Sequence, residues 1–454
     1  MQTIQARQAL LPDGWREAVE IDIGTDGRIA AVRSGCNLPD PVTDCLLPAP
    51  GNLHSHSFQR ALAGLTEQRG PGGQDSFWTW RQLMYAFLEK LTPDDLEAIA
   101  ALAFMEMLEA GYGAVAEFHY LHHQPDGQPY AKLGETSHRI QAAAQESGLG
   151  LTHLPVLYSR GGLDNQPLQG GQKRFGNDLT RHARLLEDAE ASLASLPDDA
   201  RLGLALHSLR AVAPENLSEA VALRTQGPLH IHIAEQMAEV TAVKQAYGAR
   251  PIDWLLDNCQ VDERWCLVHA THMSTQETQR LAHTRAVAGL CPITESNLGD
   301  GIFEGPAFIE QDGRFGIGTD SNVCITLPEE LRTLEYSQRL KQQGRVVLAD
   351  DQRSAGRFLY DGMLAGGAQA LGRDSGALKV GKLADILSLD GNSLPLAGAR
   401  GDEMLDAWIF AANSPIVKDV WSAGRHMVEG GRHRNRDVIE ARYRKVLGRL
   451  RNSL

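Results

Sequence analysis

Two histidines one residue apart, His54 and His56, close a short apolar run (Leu46, Leu47, Pro48, Ala49, Pro50) through Gly51-Asn52-Leu53. In a strand, residues i and i+2 point to the same side, so the two imidazoles converge as a pair of nitrogen ligands. Alone, the pair reads as a polar loop after a strand; partners supplied by later segments decide otherwise. His230-Ile231-His232-Ile233-Ala234-Glu235, Val268-His269-Ala270-Thr271-His272 and Gly318-Thr319-Asp320-Ser321-Asn322 each carry His, Glu or Asp at the end of an apolar stretch. A trio of uncharged imidazoles with one carboxylate suits Zn²⁺ or a similar borderline divalent ion and leaves a position for water. Such a water ionises near neutral pH and becomes a nucleophile.

Those segments belong to a repeating pattern. Apolar stretches recur at Leu46 to His56, Ala114 to Tyr120, Gly150 to Ser159, Leu202 to Leu209, Leu229 to Glu235, Cys266 to His272, Ala286 to Thr294 and Phe315 to Asp320. Between them, pieces such as Asp94 to Ala110 and Thr180 to Leu196 carry apolar residues at helical spacing, and strand-helix alternation implies a parallel sheet. Eight such units predict an α/β fold, a (β/α)8 TIM-type barrel whose site lies at the C-terminal ends of the strands. No G-x-G-x-x-G or G-x-x-x-x-G-K-[ST] motif follows any of them, which disfavours a nucleotide-binding sheet. The two ends alternate apolar and polar residues instead, at Val19, Ile21 and Ile23, in Gly376 to Asp390 and in Val417 to Val428. They predict a small β-sandwich module built from residues 1–47 and 376–430, with the barrel at 48–375 and a solvated helix at 431–454.

Composition narrows the function classes. A chain of 454 residues with 43% hydrophobic and 22% charged residues reads as a globular protein of one large domain plus an accessory module. Its formal charge of -13, with no basic tract, argues against nucleic acid. The N-terminus shows no signal-peptide core and no apolar run is long enough to span a membrane, so a cytoplasmic location is expected. Six scattered cysteines without a C-x-x-C pair suggest neither a thiolate metal site nor disulfides, and read as reduced, buried small hydrophobes.

His-x-His on the first strand, His232 with Glu235 on the fifth, His269 on the sixth and Asp320 on the eighth resemble the amidohydrolase superfamily, and the Val-Gly-Lys-Leu-Ala-Asp core at 380–385 resembles its returning β module. Pro50 to Ala61, Ser76-Phe77-Trp78-Thr79-Trp80-Arg81 and Ala116-Glu117-Phe118-His119-Tyr120 are similar to the formimidoylglutamate deiminases. The resemblance covers nearly the whole chain. It implies metal-dependent hydrolysis of N-formimidoyl-L-glutamate to N-formyl-L-glutamate and ammonia in histidine degradation, and a homodimer. Binuclear members carry a bridging lysine at the end of the fourth strand; Arg201 to Arg210 contains none, so a single divalent metal ion, Zn²⁺, is expected.

The resemblance implies His54, His56, His232 and Asp320 as metal ligands. Asp320 takes a proton from the attacking water, Glu235 ferries protons to the substrate nitrogen and the leaving ammonia, and His269 orients the nucleophile or stabilises the tetrahedral intermediate. The implied small-molecule substrate has two carboxylates, which an acidic protein must meet with local donors; Gln59, Arg81, Tyr120, His207 and Arg210 match the family's substrate contacts. Bland alternatives stand beside these. Arg81 reads equally as a cap on an aromatic cluster or a subunit contact, and Tyr120 and His207 as satisfied core polar groups. His230 and His272 read as structural, and His119, His122 and His123 crowd a loop without an assigned role. A deaminase of a cyclic amidine such as guanine or cytosine would use the same metal set with an aromatic or amide base-reading pocket in place of the arginines, whereas a non-catalytic scaffold would have no use for Glu235 and His269 beside the ligands.

Overall fold

The computed structural model describes residues 2–38, 43–67 and 77–452. Its centre is a parallel barrel of strands Gly51–Ser55, Ala114–His119, Gly150–Leu157, Leu204–Ser208, Leu229–Ile233, Trp265–His269, Val287–Leu290 and Arg314–Ile317, paired in that order. The short strand Arg201–Leu202 pairs with the third strand just ahead of the fourth. Six of the eight barrel strands fall within the expected stretches, and Trp265–His269 and Arg314–Ile317 each start one residue earlier; the larger difference is at the start. Leu46 to His56 is two strands: Thr43–Pro48 pairs in the accessory sheet, and the chain turns at Ala49-Pro50 to enter the barrel. Proline cannot donate to a ladder and restricts the residue before it, so a continuous strand through Pro48 and Pro50 is broken.

The barrel closes between its first and eighth strands. His54 O accepts from the backbone N–H groups of Thr319 (3.0 Å) and Asp320 (2.9 Å), and His56 N–H donates to Asp320 O (2.9 Å). A buried polar network reinforces the seam: Asn52 Nδ2 donates to Thr319 Oγ1 (2.7 Å), which donates to Asn322 Oδ1 (2.6 Å), while Asn322 Nδ2 donates to Ser55 Oγ (3.1 Å). The opposite end is sealed by the helix Ala355–Ala370, which lies so close that a Cβ on Gly366 would sit 1.9 Å from Phe315 O. His230 reaches down the barrel to this seal and donates from Nε2 to Ala370 O (2.8 Å).

The helices form for local reasons. Pro93–Ala110, matching the expected Asp94 to Ala110, starts with a reciprocal Thr92/Asp95 capping box and Pro at its first turn, and ends on Gly111 at φ 106°. Leu179–Leu193 answers the expected Thr180 to Leu196.

Both termini contribute to one eight-stranded sheet, in the order Arg432–His433, Arg425–Glu429, Val417–Ser422, Ile386–Leu389, Thr43–Pro48, Gln2–Leu11, Gly14–Ile23, Ile29–Arg33. Pairing is antiparallel except between Gln2–Leu11 and Thr43–Pro48. The sheet encloses its own apolar core, including Ile4, Val19, Ile21, Ile29, Leu46, Ile386 and Trp421. Of Gly376 to Asp390 only Ile386–Leu389 is a strand. The module is locked to the barrel by the buried Arg373, which donates to Asp385 Oδ2 (2.6 Å) and Asp199 Oδ2 (2.9 Å), while Arg425 donates to Asp199 Oδ1 (2.7 Å). The C-terminal helix spans Arg436–Arg451. Among the described residues no helix is long and apolar enough to cross a membrane. All six cysteines are free; Cys45, Cys266 and Cys291 are buried, but Cys36 and Cys259 are half-buried and Cys324 is exposed, so the expectation of buried thiols holds for only half of them.

Candidate metal centre and active site

At the C-terminal ends of the strands the side chains singled out in the sequence converge. His54 Nε2 lies 3.2 Å from His56 Nε2 and 3.0 Å from His232 Nε2, and Asp320 Oδ1 is 3.4 Å from His54 Nε2 and 3.3 Å from His56 Nε2. The other ring nitrogens explain these approaches. His56 Nδ1 is 2.9 Å from Phe118 O and His232 Nδ1 is 3.0 Å from His207 O. A carbonyl can only accept, so Nδ1 carries the proton and Nε2 presents a lone pair. Burial lowers the pKa of His54 and His232 well below the ordinary histidine value, with neighbouring imidazoles adding to it, and burial lowers His56 against the pull of Asp320. Neutral imidazole lone pairs facing one another beside a carboxylate repel unless a cation lies between them. The four residues therefore fit a divalent ion by geometry, tautomer and charge.

Backbone strain helps to aim them. Asp320 sits at φ 46°, His269 at 70°, Ala270 at 47° and Ala234 at 53°, a region that residues other than glycine adopt rarely and that the surrounding structure must impose.

Glu235 and His269 stand beside the cluster: His269 Nε2 is 3.9 Å from Glu235 Oε1 and 3.9 Å from Asp320 Oδ2. Burial raises the Glu235 carboxyl to about 7, further helped by Asp320 and opposed by His269. His269 is pulled down by burial but lifted more strongly by Glu235, by its hydrogen bond to Glu295 and by Asp320, reaching about 10. One cleft joins these groups to Gln59, Arg81, Tyr120, His207 and Arg210, with Trp80, Met84, Tyr85, Phe175 and Leu298 completing its wall.

Residues 45–427 match the model of the amidohydrolase family, and residues 1–41 match that of the formimidoylglutamate deiminase HutF N-terminal domain. The chain belongs to the amidohydrolase family, in its formimidoylglutamate deiminase branch. This amidohydrolase is a hydrolase acting on a C–N bond. It is 49% identical to the formimidoylglutamate deiminase of Pseudomonas aeruginosa over 99% of this chain and 100% of that protein, and 27% identical to the 8-oxoguanine deaminase of the same organism over 89% and 90%. The crystal structure of an amidohydrolase from Brucella melitensis superposes with a TM-score of 0.95 at 49% identity, covering 99% of this chain and 100% of that one. An adenosine deaminase from Xanthomonas campestris, solved with bound zinc, shares the fold at a TM-score of 0.82 and 21% identity, covering 99% and 98%.

Within the amidohydrolase cleft the polar wall is organised. Gln59 Nε2 donates to Tyr120 OH (2.9 Å), and both are buried. Arg81 lies on the helix Phe77–Leu88 of its own chain and donates from Nε to Tyr85 OH (2.6 Å) and from Nη2 to Tyr158 OH (3.2 Å). That places it in this chain's cleft. Ser76, at the head of that motif, lies outside the described residues. His207 Nδ1 is 3.1 Å from Ser208 Oγ, and its ring stands 4.6 Å from that of Tyr158.

The remaining histidines point elsewhere. His119 meets Thr136 Oγ1 (3.0 Å), His122 donates to Val156 O (3.0 Å), His123 to Gly176 O (3.0 Å) and His272 to Asp300 O (2.7 Å); none of them lines the cleft.

Sequence reasoning passed over Glu295. The expected seventh strand, Ala286 to Thr294, ends one residue before it, whereas the strand stops at Leu290 and Pro292 opens the helix Pro292–Leu298 that carries it. Proline at the first helical position was the available signal. Glu117 was quoted only as part of a motif; it accepts from Ser57 N–H (2.8 Å) and Oγ–H (2.6 Å) next to His56.

Proposed function

We propose that this amidohydrolase hydrolyses N-formimidoyl-L-glutamate to N-formyl-L-glutamate and ammonia in histidine degradation, with one zinc ion held by His54, His56, His232 and Asp320. One observation carries the reading: a single cleft joins the histidine-carboxylate cluster, Glu235 and His269 to two guanidinium groups, Arg81 and Arg210. A linear substrate with an amidine at one end and two carboxylates at the other fits such a cleft, because guanidinium groups pair with carboxylates through two parallel hydrogen bonds. The 49% identical relative named formimidoylglutamate deiminase supports the same substrate.

A divalent ion in this cluster supplies Lewis acidity, which turns water into a nucleophile near neutral pH. The chain's own groups handle the protons. Asp320 Oδ2 accepts a proton from the attacking water as the new C–O bond forms at the formimidoyl carbon. His269 Nε2, 3.9 Å from that oxygen atom of Asp320, orients the nucleophile and donates to the oxygen of the tetrahedral intermediate. Glu235, held near 7 by burial, exchanges its proton readily at neutral pH. It protonates the terminal nitrogen as water adds and then passes on the proton that Asp320 took, so the C–N bond breaks and ammonia leaves; the hydroxyl proton moves to Glu235, which restores the acid and completes the formyl product. Gln59, Tyr120 and His207 border the reacting end, and Arg81 and Arg210 hold the carboxylates.

The test is ammonia release from N-formimidoyl-L-glutamate beside 8-oxoguanine, guanine and cytosine, with zinc counted per chain. Turnover of the formimidoyl compound, abolished by chelation and restored by one zinc, is expected. Preferential release from a purine or from cytosine overturns the substrate, and full activity of the metal-free protein overturns the metal.

A further inference from the structure

The structure assigns Glu295 as the residue that positions His269. The role rests on the proposed reaction only in what His269 does; the hydrogen bonds stand apart from it. His269 is buried, and its Nδ1 is 3.2 Å from Glu295 Oε1. The same oxygen accepts the Cys291 backbone N–H at 2.9 Å. Glu295 is itself buried, in the first turn of Pro292–Leu298, and its backbone N–H donates to Cys291 O (2.8 Å). The carboxylate is thus tied to the backbone at the end of the seventh strand and reaches across to a ring on the sixth.

A carboxylate facing Nδ1 requires the proton there, so Nε2 is the nitrogen turned toward Glu235 and Asp320. Without the anchor, the ring of a residue already held at φ 70° can turn about its side-chain bonds and lose the 3.9 Å approaches to both carboxylates. An atom misplaced by about 1 Å near reacting groups costs about a hundredfold in rate. Cys291 completes the cluster without competing for the ring: burial raises its thiol well above the ordinary cysteine value, so the sulfur stays protonated.

Glu295 also satisfies a helix end, and the test must separate that duty from positioning. Glu295→Gln keeps an Oε1 able to accept both N–H groups, whereas Glu295→Ala removes it. With the zinc-loaded full chain, Glu295→Ala is expected to lower kcat tenfold to hundredfold, with KM within twofold and zinc per chain unchanged, and Glu295→Gln to recover most of the loss. In ¹⁵N-histidine-labelled protein, an Nδ1–H signal assigned by its loss in His269→Asn should exchange slowly with solvent in the wild type and in Glu295→Gln, and rapidly in Glu295→Ala. The inference is overturned if Glu295→Ala keeps both kcat and the slow signal, or if folded Glu295→Gln keeps the slow signal yet is as impaired as Glu295→Ala. A wild type that releases no ammonia from the formimidoyl compound but shows the Glu295-dependent signal refutes the substrate reading and supports the positioning.

Discussion

Replacing Gly318 by alanine tests how the barrel seam sets the metal centre. A Cβ there would lie 2.7 Å from His54 Cβ and 2.8 Å from both His54 N and His54 O. Gly318 is not among the glycines at positive φ, so alanine can adopt its backbone conformation and the effect is steric. Two of the three atoms are backbone, so the first strand must retreat from the eighth. That retreat stretches the hydrogen bonds from Thr319 N–H (3.0 Å) and Asp320 N–H (2.9 Å) to His54 O. Overpacking costs about 1–3 kcal/mol, and each weakened hydrogen bond up to about 1 kcal/mol, giving a destabilisation of roughly 1–5 kcal/mol. The same shift separates His54 from Asp320, and disturbing the support of ligand-type residues lowers metal affinity about 10–100-fold. Urea unfolding of the metal-free protein reads the first quantity and zinc competition with a chelator reads the second. Gly344→Ala is the control, since its Cβ would meet only Val347 Cγ2 at 3.9 Å. A Gly318→Ala protein with the wild-type urea midpoint and zinc affinity refutes the reasoning.

Other outcomes follow from single side chains. Glu235→Gln should lower kcat at least about a hundredfold while zinc content stays constant, the usual scale for a lost proton-transfer group; steady-state ammonia release with metal analysis checks it. Arg210→Met should raise KM about tenfold or more for a dicarboxylate substrate and leave zinc affinity untouched, which paired kinetic and chelator measurements decide. Arg373→Met leaves the buried Asp385 without its ion partner, while Asp199 keeps Arg425, and should cost about 3–5 kcal/mol in chemical unfolding. Burial lowers His119 and His182 to about 3 and His230 to about 4, against roughly 6.5 in an unfolded chain. These are depressed folded values, so the unfolded chain binds more protons between them; the stability is present above about 6.5 and lost as pH falls toward 3–4. His182 has no hydrogen-bond partner at either ring nitrogen among the described residues, so His182→Met should flatten the fall in urea midpoint between about pH 6.5 and pH 4.

Much of the site was legible because its residues stand at strand ends and strand periodicity is local. His54 and His56 share a side through the two-residue repeat, and His232 was separable from His230 through Glu235. The strands themselves showed as apolar stretches between helical spacings. Less was legible where pairing is remote: nothing near Pro48 and Pro50 tells that Thr43–Pro48 joins Gln2–Leu11 and Ile386–Leu389 rather than the barrel, beyond proline's unsuitability for a continuous strand.

The sequence by itself determined which chemistry this amidohydrolase can attempt, since imidazoles, carboxylates and guanidiniums keep their donor properties wherever they fall, and short-range patterning put them at the ends of strands. Only the tertiary structure decided which nitrogen of each ring faces inward, that Arg81 enters its own chain's cleft, and that Glu295 holds His269. Each of those depends on a partner many residues away, such as Phe118 O for His56 or His207 O for His232. Closure of the barrel brings such partners within hydrogen-bonding distance, and no local preference of the chain encodes that proximity.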